Sequence, residues 1–426
     1  MDTSRLINKH ILTFLIKIAA FGLILFPSLV VADSEKEGAS KVFHEIFAGG
    51  RAYISGRYRF EYADQDGFSN TARASTFRTR LGFETDTFYG FQGLLEFEDV
   101  REIGDDRYNN TFNGRTDFPV VADPESTEVN QAYLSYKGIA DTELKLGRHS
   151  LSLDNWRFIG DVRWRQNNQT QDGVTFSNTS IKDTRLFYGF SNNINRIFSD
   201  ESPMGDFSTR LHMFNAKHTG LSWGDFAGYV YLFDNKSAPA LSTSSFGGRF
   251  DGASEIIDNT KLLYDLEYAH QRDYADNPTD YAVHYYKAES GIHSHGFTVK
   301  VGIESLGSDN GEVSFSTPLA TLHKFNGWAD LFLATPPAGL EDRYAFMSFK
   351  VSGVSEWLDG IRLIGVYHDF TAEDGGLDYG TEWDFDITQK IFNDVLIGVR
   401  YANYHADGFG VDTERIIFTL GTQFST

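Results

Sequence analysis

The chain has 426 residues and is 15% aromatic, with 40 glycines, 9 prolines, no cysteine and a formal net charge of −21. So acidic a balance argues against nucleic acid as a partner, and without cysteine no disulfide is available. After the N-terminus no stretch approaches the roughly 18 consecutive apolar residues of a membrane helix.

Arg5, Lys9 and Lys17 precede an apolar run over residues 18–31, and the small residue Ala32 follows. This pattern predicts a secretory signal peptide over residues 1–32, cleaved after Ala32. The rival reading is an N-terminal membrane anchor. Residues 33–426 carry no linker and no break in composition, so one domain is expected there. An exported, acidic chain rich in aromatics and glycine suits an outer-membrane barrel or a large secreted β protein.

Period-2 patterning begins at once. Over residues 51–62, Ile54, Tyr58, Phe60 and Tyr62 fall on one face, and Arg57, Arg59 and Glu61 on the other. The next strand sets Phe77, Leu81 and Phe83 against Thr76, Arg78 and Arg80, and the third sets Leu95 and Phe97 against Glu96 and Glu98. Late in the chain Phe297, Val299, Val301 and Ile303 oppose Lys300 and Glu304. Trp383, Phe385 and Ile387 oppose Glu382, Asp384 and Asp386, and Ile416, Phe418 and Leu420 oppose Arg415. These strands run to about 10–13 residues, whereas soluble strands have about 5–6 and barrel strands need roughly 9–11 to cross the apolar zone.

Link lengths alternate as well. Residues 64–71, 101–127, 146–173 and 192–206 make long connections, and 87–90, 137–141, 178–183 and 219–224 short ones. Short turns at one end and long loops at the other mark an outer-membrane barrel. About 17 strands are clear. The phase is restored if one more lies near residues 249–257, which gives an all-β, antiparallel up-and-down transmembrane barrel of about 18 strands with both termini periplasmic.

A barrel of that size encloses an aqueous lumen. Its polar face carries Arg57, Arg59, Arg78, Arg80 and Arg185, and the stretch 146–173 adds Arg148, Arg157, Arg163 and Arg165 beside His149, Asp154 and a run of amides. Guanidinium forks suit carboxylates, and rings of arginine make an anion path. The blander reading is that these arginines pair with Glu61, Glu84, Glu96 and Glu98 as wall ladders. Catalytic and metal readings are thin. Glu96 and Glu98 form a pair such as any polar lumen contains. His293 and His295 share a spacing suited to a metal but have no carboxylate near them. The start of a calcium loop at Asp64-Gln65-Asp66-Gly67 has Ser75 where the bidentate glutamate belongs. No Gly-x-Ser-x-Gly occurs, and the chain is read as a non-enzyme without cofactor.

The segments GRYRFEY (56–62), STFRTRLGFET (75–85), EVNQAYLSY (128–136) and LGRHSLSLDNWRFIGDVRWRQNNQTQDG (146–173) together resemble the alginate export family of outer-membrane porins. The resemblance implies a monomeric 18-stranded barrel in the cell outer membrane, placed there by the barrel-insertion machinery and bounded by outer-membrane lipid. It implies a conduit for anionic oligo- or polysaccharide, with Arg148, Arg163 and Arg165 narrowing the pore and Asp154 as their acidic counterweight. The chain is shorter than a dedicated alginate secretion porin, which implies passage of oligosaccharides such as uronate oligomers. A general or phosphate-type anion porin is the alternative, with an outer-membrane enzyme or an adhesin behind it. Trp156, inside the same stretch, either offers a platform for a sugar ring or simply packs.

Overall fold

A chain whose apolar residues recur at every second position buries both faces only if one meets lipid and the other meets its own interior. The computed structural model describes residues 47–392 and 394–426; the expected signal peptide lies outside them. Two compact units are distinguished. The smaller joins the chain up to Gly50 with Thr85–Phe88. Among its described residues, 47–48 are helical, the Gly50 N–H donates to the Phe47 carbonyl at 3.2 Å, and Asp86 Oδ1 accepts from the Thr87 N–H at 2.6 Å.

The larger unit, Arg51–Glu84 and Tyr89–Thr426, is the barrel. Its first strands are β1 (Arg51–Gln65), β2 (Ala72–Glu84), β3 (Phe91–Glu102), β4 (Ser126–Tyr136), β5 (Thr142–His149), β6 (Thr170–Asn178), β7 (Thr184–Asn195), β8 (Asp206–Leu221) and β9 (Gly224–Asn235). There follow β10 (Thr243–Ile257), β11 (Thr260–Asp273), β12 (Ala282–Ser294), β13 (Phe297–Leu306), β14 (Ser308–Asp309) and β15 (Val313–Ser314). The last are β16 (Leu340–Lys350), β17 (Arg362–Thr371), β18 (Asp378–Ile391), β19 (Val395–Ala406) and β20 (Thr413–Ser425). β14 and β15 pair only with each other. The rest form one antiparallel 18-stranded sheet that closes where β20 pairs with β1, Tyr53 opposite Ser425.

The strand that restores the phase is β10. It begins at Thr243, earlier than the sequence suggests, because Gly248 and Gly252 interrupt its apolar face and leave mainly Phe246 and Phe250 to mark it. Of the two histidines, His293 lies within β12, one residue before its end, and His295 lies in the tight link beyond it. β1 starts and β20 ends where the tight links 222–223, 258–259 and 295–296 lie; the long links 103–125, 150–169 and 307–339 lie at the other end.

Alternation sorts the faces as expected. Val301 is 61% exposed and Phe97 44%, on a surface that meets lipid, while Glu61, Glu382 and Asp384 are 0% exposed on the inner face. Tyr58 and Phe418 sit with ring centroids 6.2 Å apart across the β1–β20 seam. The apolar core lies inside the barrel, because two long links fold inward. The Gly160 N–H donates to the Leu319 carbonyl at 2.9 Å, and the Thr321 N–H to the Trp156 carbonyl at 3.1 Å. Phe158 packs among Tyr229, Tyr231, Tyr285 and Phe315, joining loop to wall.

Val301→Arg, on the lipid face midway along β13, is expected to cost about 2–4 kcal/mol of barrel stability. Reversible urea unfolding in phospholipid bilayers measures it. A change near zero would mean this face does not meet hydrocarbon.

The loop assembly inside the barrel

Wall arginines on β1 and β2 grip the backbone of link 150–169. Arg57 Nη1 donates to the Arg163 carbonyl at 2.9 Å, its Nη2 to the Arg165 carbonyl, and its Nε to Gln166 Oε1 at 3.1 Å. Arg59 Nη1 donates to the Trp164 carbonyl at 2.7 Å, and Arg78 Nη1 to the Gln166 carbonyl at 3.4 Å. Arg80 bonds both Glu98 and Asn168. A planar fork with five donors is suited to holding several carbonyls that no strand partner reaches. The same link carries strained backbone: Asp154, Trp156 and Val162 have φ of 50°, 73° and 50°, a region that a β-branched residue such as valine avoids.

Glu61 is the charge at the middle of this grip. Its carboxylate is fully buried and accepts from Arg59 at 2.6 Å, Arg165 at 2.9 Å and Arg415 at 2.7 Å. Asp123, from link 103–125, adds a contact to Arg59 at 3.2 Å and caps the Gln166 N–H at 2.9 Å. Arg165 reaches on to Asp330 at 3.2 Å in link 307–339. Trp164 stacks on His323 with centroids 3.5 Å apart, and the guanidinium carbons of Arg59 and Arg165 lie 4.5 and 4.2 Å from the Trp164 ring centroid. Burial pushes His323 down to about 4 despite Asp330 beside it, so the ring is neutral at pH 7. Its Nδ1 then donates to Asp330 at 2.7 Å and its Nε2 accepts from Arg400 at 2.6 Å.

The remaining sequence candidates separate. Arg157 is 2% exposed, with Nε 3.1 Å from Glu304 on β13, Nη2 3.0 Å from Asn326, and its guanidinium over Phe325. Asp154 accepts from Asn215 on β8 at 2.6 Å. Arg163 leaves its side chain 66% exposed while bonding Asp161, whose carboxyl it helps hold below the usual range against the opposing effect of burial. Arg148 and Arg185 are not brought to this assembly. Arg148 lies on β5, on the outward face shared by Leu144 and Leu146, and forks onto Asp172 at 2.8 and 3.0 Å. Arg185 lies near the opposite end, on β7, and donates to Ser177 at 3.1 Å.

A second basic group faces the lumen from β10, β12 and β13. Arg249 forks onto Asp265 at 2.8 and 3.0 Å, Lys287 reaches the same carboxylate at 2.6 Å, and Lys300 bonds Glu289 at 2.9 Å. Lys324 donates to the Asn155 carbonyl at 2.8 Å and lies 4.5 Å from the centroid of Trp156, a ring 37% exposed. Burial, then Lys287 and Arg249, push Lys324 down to about 8. Sequence reasoning missed this group and the inward course of link 307–339. The run FNGWADLFL (325–333) was its signal, since so apolar a loop must pack against something. Asp123 gave no signal.

A closed barrel with a lipid-facing outer surface and polar loops folded into its lumen defines an outer-membrane channel. A family model for alginate export matches residues 45–303, and the chain belongs to that family. No curated protein matches it in sequence. Solved structures share its fold. The Pseudomonas aeruginosa porin OpdK, crystallised with vanillate, is 12% identical with a TM-score of 0.69, over 89% of this chain and 100% of that one. Acinetobacter baumannii OccAB4 is 10% identical at 0.71, over 88% and 98%, and OccAB2 17% identical at 0.67, over 89% and 99%.

Arg157→Ala removes the fork between link 150–169, β13 and link 307–339 and leaves Glu304 buried without its cation. It is expected to destabilise the docked loops by about 3–5 kcal/mol. Single-channel recording should then show higher, noisier conductance. Conductance identical to the unmodified protein would mean the loops are held without it.

Proposed function

We propose that the barrel passes anionic saccharides, uronate oligomers in particular, by passive diffusion past an arginine-rich constriction. One observation carries the reading. Arg57 and Arg78 have no carboxylate within ion-pair distance among the described residues, although Arg59, Arg80, Arg157 and Arg165 each have at least one. The β1–β2 side of the loop assembly therefore keeps uncompensated positive charge in a low-dielectric wall, where it acts on a passing anion more strongly than in water. Arg163 offers the accessible donors, and Trp156 with Lys324 offers a ring face beside a cation on the way past. Several weak sites in series let a solute leave again. Arg185 extends the field toward the tight-link end and Asp154 positions the loop, while Arg148, outward on β5 and paired with Asp172, takes no part.

The family's link with alginate supports a uronate, and the chemistry of a guanidinium fork supports a carboxylate. A general anion porin is the second reading. It is favoured by the number of guanidinium donors already engaged by loop carbonyls, which leaves charge without a free fork. The two readings differ in planar bilayers. Arg163→Ala should weaken block by uronate oligomers, and Arg163→Lys should keep ion selectivity while losing part of that block. Equal block by charged and neutral oligomers of the same size would remove the preference for uronates.

The pH dependence follows from Lys324. The amine is charged below about 8 and neutral above it, so anion over cation selectivity should fall as pH rises from about 7 to 9. Lys324→Arg, which stays charged, should flatten the profile. A reversal potential already flat in the unmodified channel would place Lys324 outside the conduction path.

A further inference from the structure

Link 103–125 has two sides. Its last turn sends Asp123 into the lumen, as described above. Its earlier part overhangs the outer edge of β2, where the Arg73 N–H donates to the Arg107 carbonyl at 2.8 Å. Under the overhang is a cleft of about 780 Å³ whose lining includes Arg73, Arg107, Arg115, Asp106, Asn70 and Phe118. It is separate from the loop assembly: none of these side chains contributes to the grip on link 150–169.

The lining has the chemistry of an acidic sugar. Arg107 is held by Asp105 at 2.7 Å and Arg115 by Asp106 at 3.1 Å, so both guanidiniums are oriented and keep donors in reserve. Arg73 makes no side-chain ion pair among the described residues, which leaves a whole fork for a carboxylate. Asp106 and the Asn70 amide, which bonds Asp117 at 2.8 Å, suit sugar hydroxyls. The Phe118 ring suits the apolar C–H face of a pyranose. A cleft for a phosphorylated lipid would present unopposed cations to a dianion, whereas here two of the three arginines are already balanced.

We infer that this cleft is a docking site for uronate-bearing oligosaccharide at the long-link end of the barrel, outside the lumen. It captures the chain before the constriction does, and it makes capture one-sided. The inference rests on the saccharide reading of the pore.

Side-resolved block in planar bilayers tests it, with alginate oligomers added first at the long-link side and then at the opposite side. In Arg73→Ala/Phe118→Ala, the Kd for block from the long-link side should rise about tenfold, the usual scale for losing one charge-assisted fork. Block from the other side and the open conductance should not change, which also shows that the barrel is intact. An unmodified channel blocked from neither side overturns the saccharide reading itself. Block present from both sides and unaltered by the substitutions, or weakened equally from both, leaves that reading standing and overturns the cleft.

Discussion

Hydrocarbon offers no hydrogen-bond partner, so every backbone N–H and C=O that crosses it must be satisfied by a neighbouring strand. Closure of β20 on β1 meets that demand and decides nearly everything else. It turns the period-2 pattern into a lipid face and an inner face, and it forces the polar half of every strand into a space too narrow for all those charges to be fully hydrated. The inner face answers with mutual pairing. Glu61 with three guanidiniums, Asp265 with Arg249 and Lys287, and Glu304 with Arg157 are three versions of the same answer. A buried ion pair adds little stability over an apolar pair, but removing one partner is costly. Such groups therefore act more as position-fixers than as glue.

That distinction changes the meaning of the arginines. Read as residues, they are anion ligands; in the folded chain most of their donors hold a loop. Charge and donor are separable, however. A guanidinium whose N–H groups are engaged by carbonyls is still a cation, and carbonyl oxygens neutralise none of its net charge. Arg57 is the clearest case: its three contacts are to two backbone oxygens and an amide. It contributes field without offering a fork. Arg163 retains exposed donors, so shaped recognition and long-range attraction fall to different side chains.

Legibility in the sequence follows the range of the interactions involved. Face assignment at Phe97, Val301 or Trp383 needs only neighbours two residues away, and it was readable. β10 was half-hidden because glycines carry no apolar mark. Arg148 looked like part of the arginine-rich loop because the stretch 146–173 has no periodicity as a whole, yet its first four residues continue a strand whose phase points Arg148 outward beside Leu146. The partners of link 150–169 were not readable, since Glu61, Asp123, Glu304 and Asn326 come from four other segments. No local pattern states that a loop turns inward. For link 150–169 its length and the family resemblance, which put Arg163 and Arg165 at a narrowing of the pore, pointed inward; for link 307–339 only its apolar content hinted at it.

The Glu61 carboxylate also says something about order in time. Its partners lie on β1 itself, on link 150–169 and on β20, and the contact to Arg415 spans 354 positions of sequence. Contacts so remote form only after the intervening chain is in place, and they are slow to find. Arg415 cannot reach Glu61 until the last strand has met the first. The node that anchors the loops is therefore complete only once that seam is closed, and a barrel still open there lacks one of the three cations that hold its central anion. The carboxylate that organises the lumen thus has its full set of cations only when the wall around it is sealed.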